Sequence, residues 1–161
     1  MNIDGKTKEE ILKVVNECFD IISKIANDEG EDRKAGVFTI NVFDVENILV
    51  ENIADFKAVP GKSLAGWRVN SEEKALRLTD NIMSGHVSSE QSRNFKKKMY
   101  RGSIFTGKII LSFSGLSEFD DEALMLLVAY RLDWIDLKGI QEIAQISNNP
   151  RLPIIKELIQ K

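Results

Sequence analysis

KIILSFSGLSEFDDEALMLLVAYRL, residues 108–132, is the stretch on which the fold turns. Ile109, Ile110 and Phe113 lie in a mainly apolar run that reads as a mostly buried strand, stopped by Ser114 and Gly115. Ser117 with Asp120 three positions on has the form of a helix start. The helix expected over 123–132 is apolar nearly all round, through Leu124, Met125, Leu126, Leu127, Val128 and Ala129. With so little polar surface it is either central to the core or partly an oligomer contact.

Upstream, Thr7 and Glu10 form a capping box, and Ile11, Val14, Val15, Cys18, Phe19, Ile22 and Ile25 share one stripe, which predicts a helix over 7–26. Residues 37–43, VFTINVF, alternate Phe38, Ile40 and Val42 against Thr39 and Asn41. With a turn at 44–47 and an apolar run at 48–50 they predict a β-hairpin. A loop over 58–66 with Pro60, Gly61 and Gly66 ends in Trp67, and a helix starts at Ser71 as cap, with Lys74, Ala75, Leu78 and Ile82 at helical spacing. SGHVSS, residues 84–89, breaks it, and Ser89 caps a short basic helix over 90–100. A short strand at 104–106 precedes the central one. Downstream, Leu137, Ile140, Ile143 and Ala144 mark one helix, and Pro153, Ile154, Ile155, Leu158 and Ile159 a last one. The order predicts a single α+β domain, a small antiparallel sheet of about five strands packed against helices, with a helical tail over 136–161.

At 161 residues, 43% hydrophobic and 29% charged, the chain has the composition of a soluble globular domain that needs no disulfide. A net charge of −3 gives no general attraction to nucleic acid or anionic membrane, and the longest apolar run, 123–130, is too short to span a bilayer. One cysteine and one histidine leave no zinc set, and with no apolar signal region at the N-terminus the expectation is a cytoplasmic protein.

Three segments together, covering about 37–130, resemble the GlcG/HbpS-type family of small α/β proteins, the haem-degrading or haem-binding domain family. INVFDVENILV at 40–50 is similar to that family's first hairpin, with Asn47 where a glycine is usual. Glu73, Lys74 and Ala75 stand where its second helix carries a Lys-Ala pair, followed by a serine-containing break met by Ser88 and Ser89. Ser114, Gly115, Asp121, Glu122 and Ala123 match its strand, Ser-Gly and acidic helix start. The loop at 100–104, bordering the family's ligand cavity, has Gly102 alone where the family has a Gly-Gly-x-Pro pattern, and the tail beyond Leu132 has no family counterpart. The resemblance implies a profilin-like layered arrangement and a small-ligand-binding domain without catalysis, with haem or a cobalamin-like molecule as ligand and self-association into a homo-oligomer.

For the ligand, the sequence offers His86, Ser88, Ser89, Arg93, Arg101, Gly102, Ser114 and Gly115. His86 is the sole imidazole. Arg93, Lys96, Lys97, Lys98 and Arg101 form a basic run that would meet a small anion such as a propionate or phosphate. Such a run is usually a solvated helix face. Glu118, Asp120, Asp121 and Glu122 suit the N-terminus of a helix without a metal. No catalytic residue is assigned, since there is no nucleophile motif, Walker loop or G-x-G-x-x-G. The competing readings are an interaction or scaffold module whose tail covers a partner, and an enzyme using His86 or the acidic cluster.

Overall fold

The structure, a computed structural model, describes residues 2–42 and 45–160. It is an α+β fold. A small hairpin, β1 (Asn2–Ile3) and β2 (Lys6–Thr7), leads into α1 (Lys8–Asp28). Four further strands, β3 (Ala35–Val42), β4 (Val45–Ala54), β5 (Ser103–Phe105) and β6 (Ile109–Ser114), form one antiparallel sheet in the order β4-β3-β6-β5. The main sheet therefore has four strands where about five were expected. Between the two strand pairs runs α2 (Gly61–Asn81), and after β6 come α3 (Glu118–Arg131), α4 (Leu137–Ser147) and α5 (Leu152–Ile159).

Local chemistry explains most of these boundaries. Both halves of the Thr7–Glu10 capping box are made, and Ser117 Oγ accepts the Asp120 N–H at the start of α3. Asp136 does the same for Gly139 in α4. On β6, Leu111 and Phe113 face the cluster built with α1 and α3, while Ile110 faces Ala75 and Leu78 of α2. Leu124 to Val128 are at most 1% exposed, so α3 is wholly central to the core and is no oligomer contact within these residues. Thr39 and Asn41 lie beneath α2 and are buried too.

Several boundaries differ from the sequence reading. Helix α2 begins ten residues before Ser71, directly after Pro60. Ser71 is mid-helix and buried, its hydroxyl 2.9 Å from Thr39 Oγ1. Proline suits a helix start as well as a loop, and Leu64, Ala65 and Trp67 carry the helix across Gly66. Gly66→Ala tests that extension. A Cβ there meets nothing within 4 Å, so the substitution gains about 0.5–1 kcal/mol in denaturant unfolding, and a loss refutes a helix at Gly66.

The expected helix over 90–100 is instead two 3₁₀ turns, Ser89–Ser92 and Phe95–Lys97. Ser88 is the cap, and Arg93 between the turns is extended. The segment has no apolar stripe to bury, so nothing repays helix nucleation there. Val45 already pairs with Val42, which puts Asn47 inside β4, outside the turn. The strand end expected at Phe43 and the turn residue Asp44 lie outside the described residues.

Candidate functional site

Lys74 and Asp121, one from the middle of α2 and one from the first turn of α3, meet under the end of β6. Both are at most 2% exposed. Lys74 Nζ donates to Asp121 Oδ2 at 2.8 Å and to the Phe113 carbonyl at 2.7 Å; Asp121 Oδ1 accepts the Leu116 N–H at 3.0 Å. Burial pushes the Asp121 carboxyl up to about 6, against the opposing pull of Lys74 and the Leu116 N–H. Gly102 closes the node: a Cβ there would lie 2.7 Å from Asp121 Cβ and 2.9 Å from Lys74 Nζ.

Above this pair opens a cleft of about 180 Å³, walled by Trp67, Asn70, Tyr100, Ser114, Gly115 and Leu116, with Glu118 at its edge. Trp67 and Gly115 also line a second lobe of about 180 Å³ beside Arg33, Lys34 and Pro60. The two lobes make one groove over the Trp67 ring. Within it the Trp67 indole N–H, the Asn70 amide, the Tyr100 hydroxyl and the Ser114 hydroxyl make no hydrogen bond to any described residue. Four polar tips with unspent capacity around an aromatic ring can hold a small polar molecule. The charges are already balanced: Glu118 pairs with Arg93 at 2.6 Å, Arg33 with Glu31 at 2.7 Å and Lys34 with Asp32 at 3.4 Å. Burial raises the Glu118 carboxyl, and the Arg93 hydrogen bond with the Arg101 N–H outweighs it, leaving the group below its ordinary range.

Of the residues singled out in the sequence, Ser114 and Gly115 line the groove and Gly102 abuts its floor. The others lie outside it, all but His86 engaged with other partners; His86 Nδ1 is buried with no hydrogen-bond partner among the described residues. Ser88 Oγ donates to the buried Glu122 at 3.0 Å, a carboxylate that also holds Ser147 and Asn149. Ser89 Oγ accepts the Ser103 N–H. Arg101 stands 2.9 Å from Glu90 and lies over the Phe119 ring at 4.0 Å. His86 lines neither lobe; its neighbour Val87 borders a separate recess of about 340 Å³ with Phe105, Trp134, Ile135 and Ile143. That recess is larger than either lobe; of its polar groups Asp136 caps α4 and Glu142 faces Lys138 at 3.7 Å, while the Trp134 indole N–H is buried with no hydrogen-bond partner among the described residues. The acidic cluster is parcelled out as well, with Asp120 on Arg151 at 2.6 Å.

Neither Trp67 nor Asn70 is a site residue in the sequence reading, since Trp67 stands there at the end of a loop and Asn70 ahead of the helix start at Ser71. Lys74 carried a signal: a lysine on the same stripe as Ser71, Ala75 and Leu78 needs a buried counter-ion. Neither lobe of the groove nor the recess offers a haem or cobalamin an axial histidine, cysteine or methionine, and each lobe is below the roughly 300 Å³ of sites for drug-sized ligands. No protein-family model, no curated protein and no solved structure matches the chain.

Proposed function

We propose that this chain is a non-enzymatic domain that binds a small, polar, ring-shaped ligand in the Trp67 groove. The observation that carries this reading is the set of unspent polar tips of Trp67, Asn70, Tyr100 and Ser114 above a fully buried ion pair. The balanced charges favour a neutral or zwitterionic molecule over an anion. Asp121 is the shifted acid of the site, yet both its oxygens are committed to Lys74 and Leu116, which argues for a structural floor and against proton transfer. Cys18, buried on α1 with its thiol pushed up to about 12 by burial, is an inert core residue compatible with a reducing cytoplasm.

The test is a thermal-unfolding panel of monosaccharides, nucleosides and free aromatic amino acids, with haem, cobalamin, propionate and inorganic phosphate alongside. One of the neutral or zwitterionic compounds raises the midpoint, by the equivalent of about 2.7 kcal/mol at a hundredfold excess over Kd, and Trp67→Ala or Asn70→Ala abolishes the shift. A panel with no shift refutes the reading. So does a shift produced by phosphate or haem alone and removed by Arg93→Ala or His86→Ala.

A further inference from the structure

The outer side of α2 carries apolar residues that the fold leaves in water. Val69, Leu76 and Met83 are 66%, 41% and 85% exposed and stand seven residues apart, so they follow one side of the helix and of the 3₁₀ turn that continues it. They span roughly 21 Å at 1.5 Å per residue. Around Val69, Leu76 and Met99 lies an open groove of about 490 Å³ whose rim carries Glu72, Glu73 and Asp80 beside Arg77; Glu73 is ion-paired with Arg77 at 2.6 Å and Glu72 faces Arg68 at 3.8 Å, so Glu72 and Asp80 supply the negative charge the groove offers a partner.

Next to that groove stands a knob of complementary character. The loop at 94–99 is closed by a two-way backbone bridge, Asn94 N–H to Met99 carbonyl at 2.9 Å and Met99 N–H to Asn94 carbonyl at 3.0 Å. Its tip is Phe95, 66% exposed, with Tyr100 edge-on at 5.9 Å and the Arg93 guanidinium 5.7 Å above the ring. Lys96, Lys97 and Lys98 follow it, exposed and without an ion-pair partner among the described residues. The bridged loop thus presents an aromatic ring followed by three cations beside an apolar groove edged by Glu72, Asp80 and the Glu73–Arg77 pair.

We infer that α2 and the 94–99 loop form the face of a twofold homodimer, the Phe95 knob of each copy seated in the Leu76 groove of the other. Met99 belongs both to the loop and to the groove wall, so knob and groove lie side by side on one face. A twofold axis requires that placement, because each copy must offer both halves of the contact at once. The charges are complementary across such a pairing and repulsive for groove against groove, which fixes the register. The inference stands apart from the ligand reading, since none of its residues except Met99's neighbour Tyr100 borders the Trp67 groove.

Light scattering on the purified chain tests it. The unmodified protein is expected at about 36 kDa, twice the 18.2 kDa of one chain. Leu76→Glu with Met83→Glu, both at exposed sites, gives a folded monomer whose thermal midpoint no longer depends on protein concentration. Reversing the knob, with Lys96, Lys97 and Lys98 all changed to Glu, also gives a monomer, and adding Glu72→Lys and Asp80→Lys restores the dimer. A wild-type monomer at every soluble concentration overturns the inference. A dimer that survives Leu76→Glu with Met83→Glu, or a knob reversal that the rim reversal does not rescue, overturns it too; either would point to another surface or another partner.

Discussion

Lys74→Met lowers the unfolding free energy by about 3–5 kcal/mol at neutral pH, whereas Lys74→Met with Asp121→Asn restores it to within about 1 kcal/mol of the parent. The asymmetry comes from what each change leaves behind. Methionine keeps the volume of the lysine stem but strands a carboxylate that is at most 2% exposed. Asparagine in the double variant still accepts the Leu116 N–H and carries no charge to strand. The two single changes are therefore far from additive, and a double-mutant cycle in urea measures the coupling directly. Additive effects within about 0.5 kcal/mol would mean that the pair is hydrated and does not act as a buried unit.

The pH dependence has a fixed sign. The folded pKa of Asp121 lies at about 6, above the ordinary 3.8, so between these values the native state holds a proton that the unfolded chain has lost. The stabilisation from this group is present below about pH 4 and is lost as pH rises through about 6. Removing Lys74 takes away a neighbour that lowers the carboxyl's pKa, so the loss moves to still higher pH. Lys74→Met is accordingly closest to the parent protein at pH 5 and furthest at pH 8, and a flat difference between the two would contradict a buried Asp121.

Gly115→Ala costs at least about 4 kcal/mol, a large part of the 5–15 kcal/mol that holds an ordinary domain together. Gly115 has a φ of +150°, and a Cβ on it would stand 2.5 Å from the Ala35 carbonyl oxygen and 2.6 Å from Gly36 Cα. Both contacts are backbone at the start of β3, so no side chain can swing aside. Gly85→Ala separates the two causes, since Gly85 has a φ of +82° and open space around it. That substitution costs about 1–2 kcal/mol for the left-handed conformation alone. Soluble yield and the unfolding midpoint report both variants. A Gly115→Ala protein as stable as Gly85→Ala would show that the turn from β6 into α3 is free to move away from β3.

The site was only partly legible before the fold was known. Ser114, Gly115 and Gly102 were named from the chain, and all three surround the Lys74–Asp121 floor. Arg93 and Arg101 looked like free cations, because nothing in a basic run tells that Glu118 and Glu90 will stand opposite them. Trp67 and Asn70 were hidden by a proline and two glycines that here open and cross a helix.

Sequence alone determined what is settled within a turn or two of chain: the capped stripe of α1, the alternation of β3, the stop at Ser114-Gly115 and the apolar helix α3. Those features depend on spacing and on caps, whose partners lie three or four residues away. Only the tertiary structure decided that Lys74 meets Asp121, that Ser88 meets Glu122, and that Val69, Leu76 and Met83 stay in water. Such pairings join residues 34 to 47 positions apart, and a buried charge or an exposed methionine acquires its meaning from whichever elements the sheet brings together.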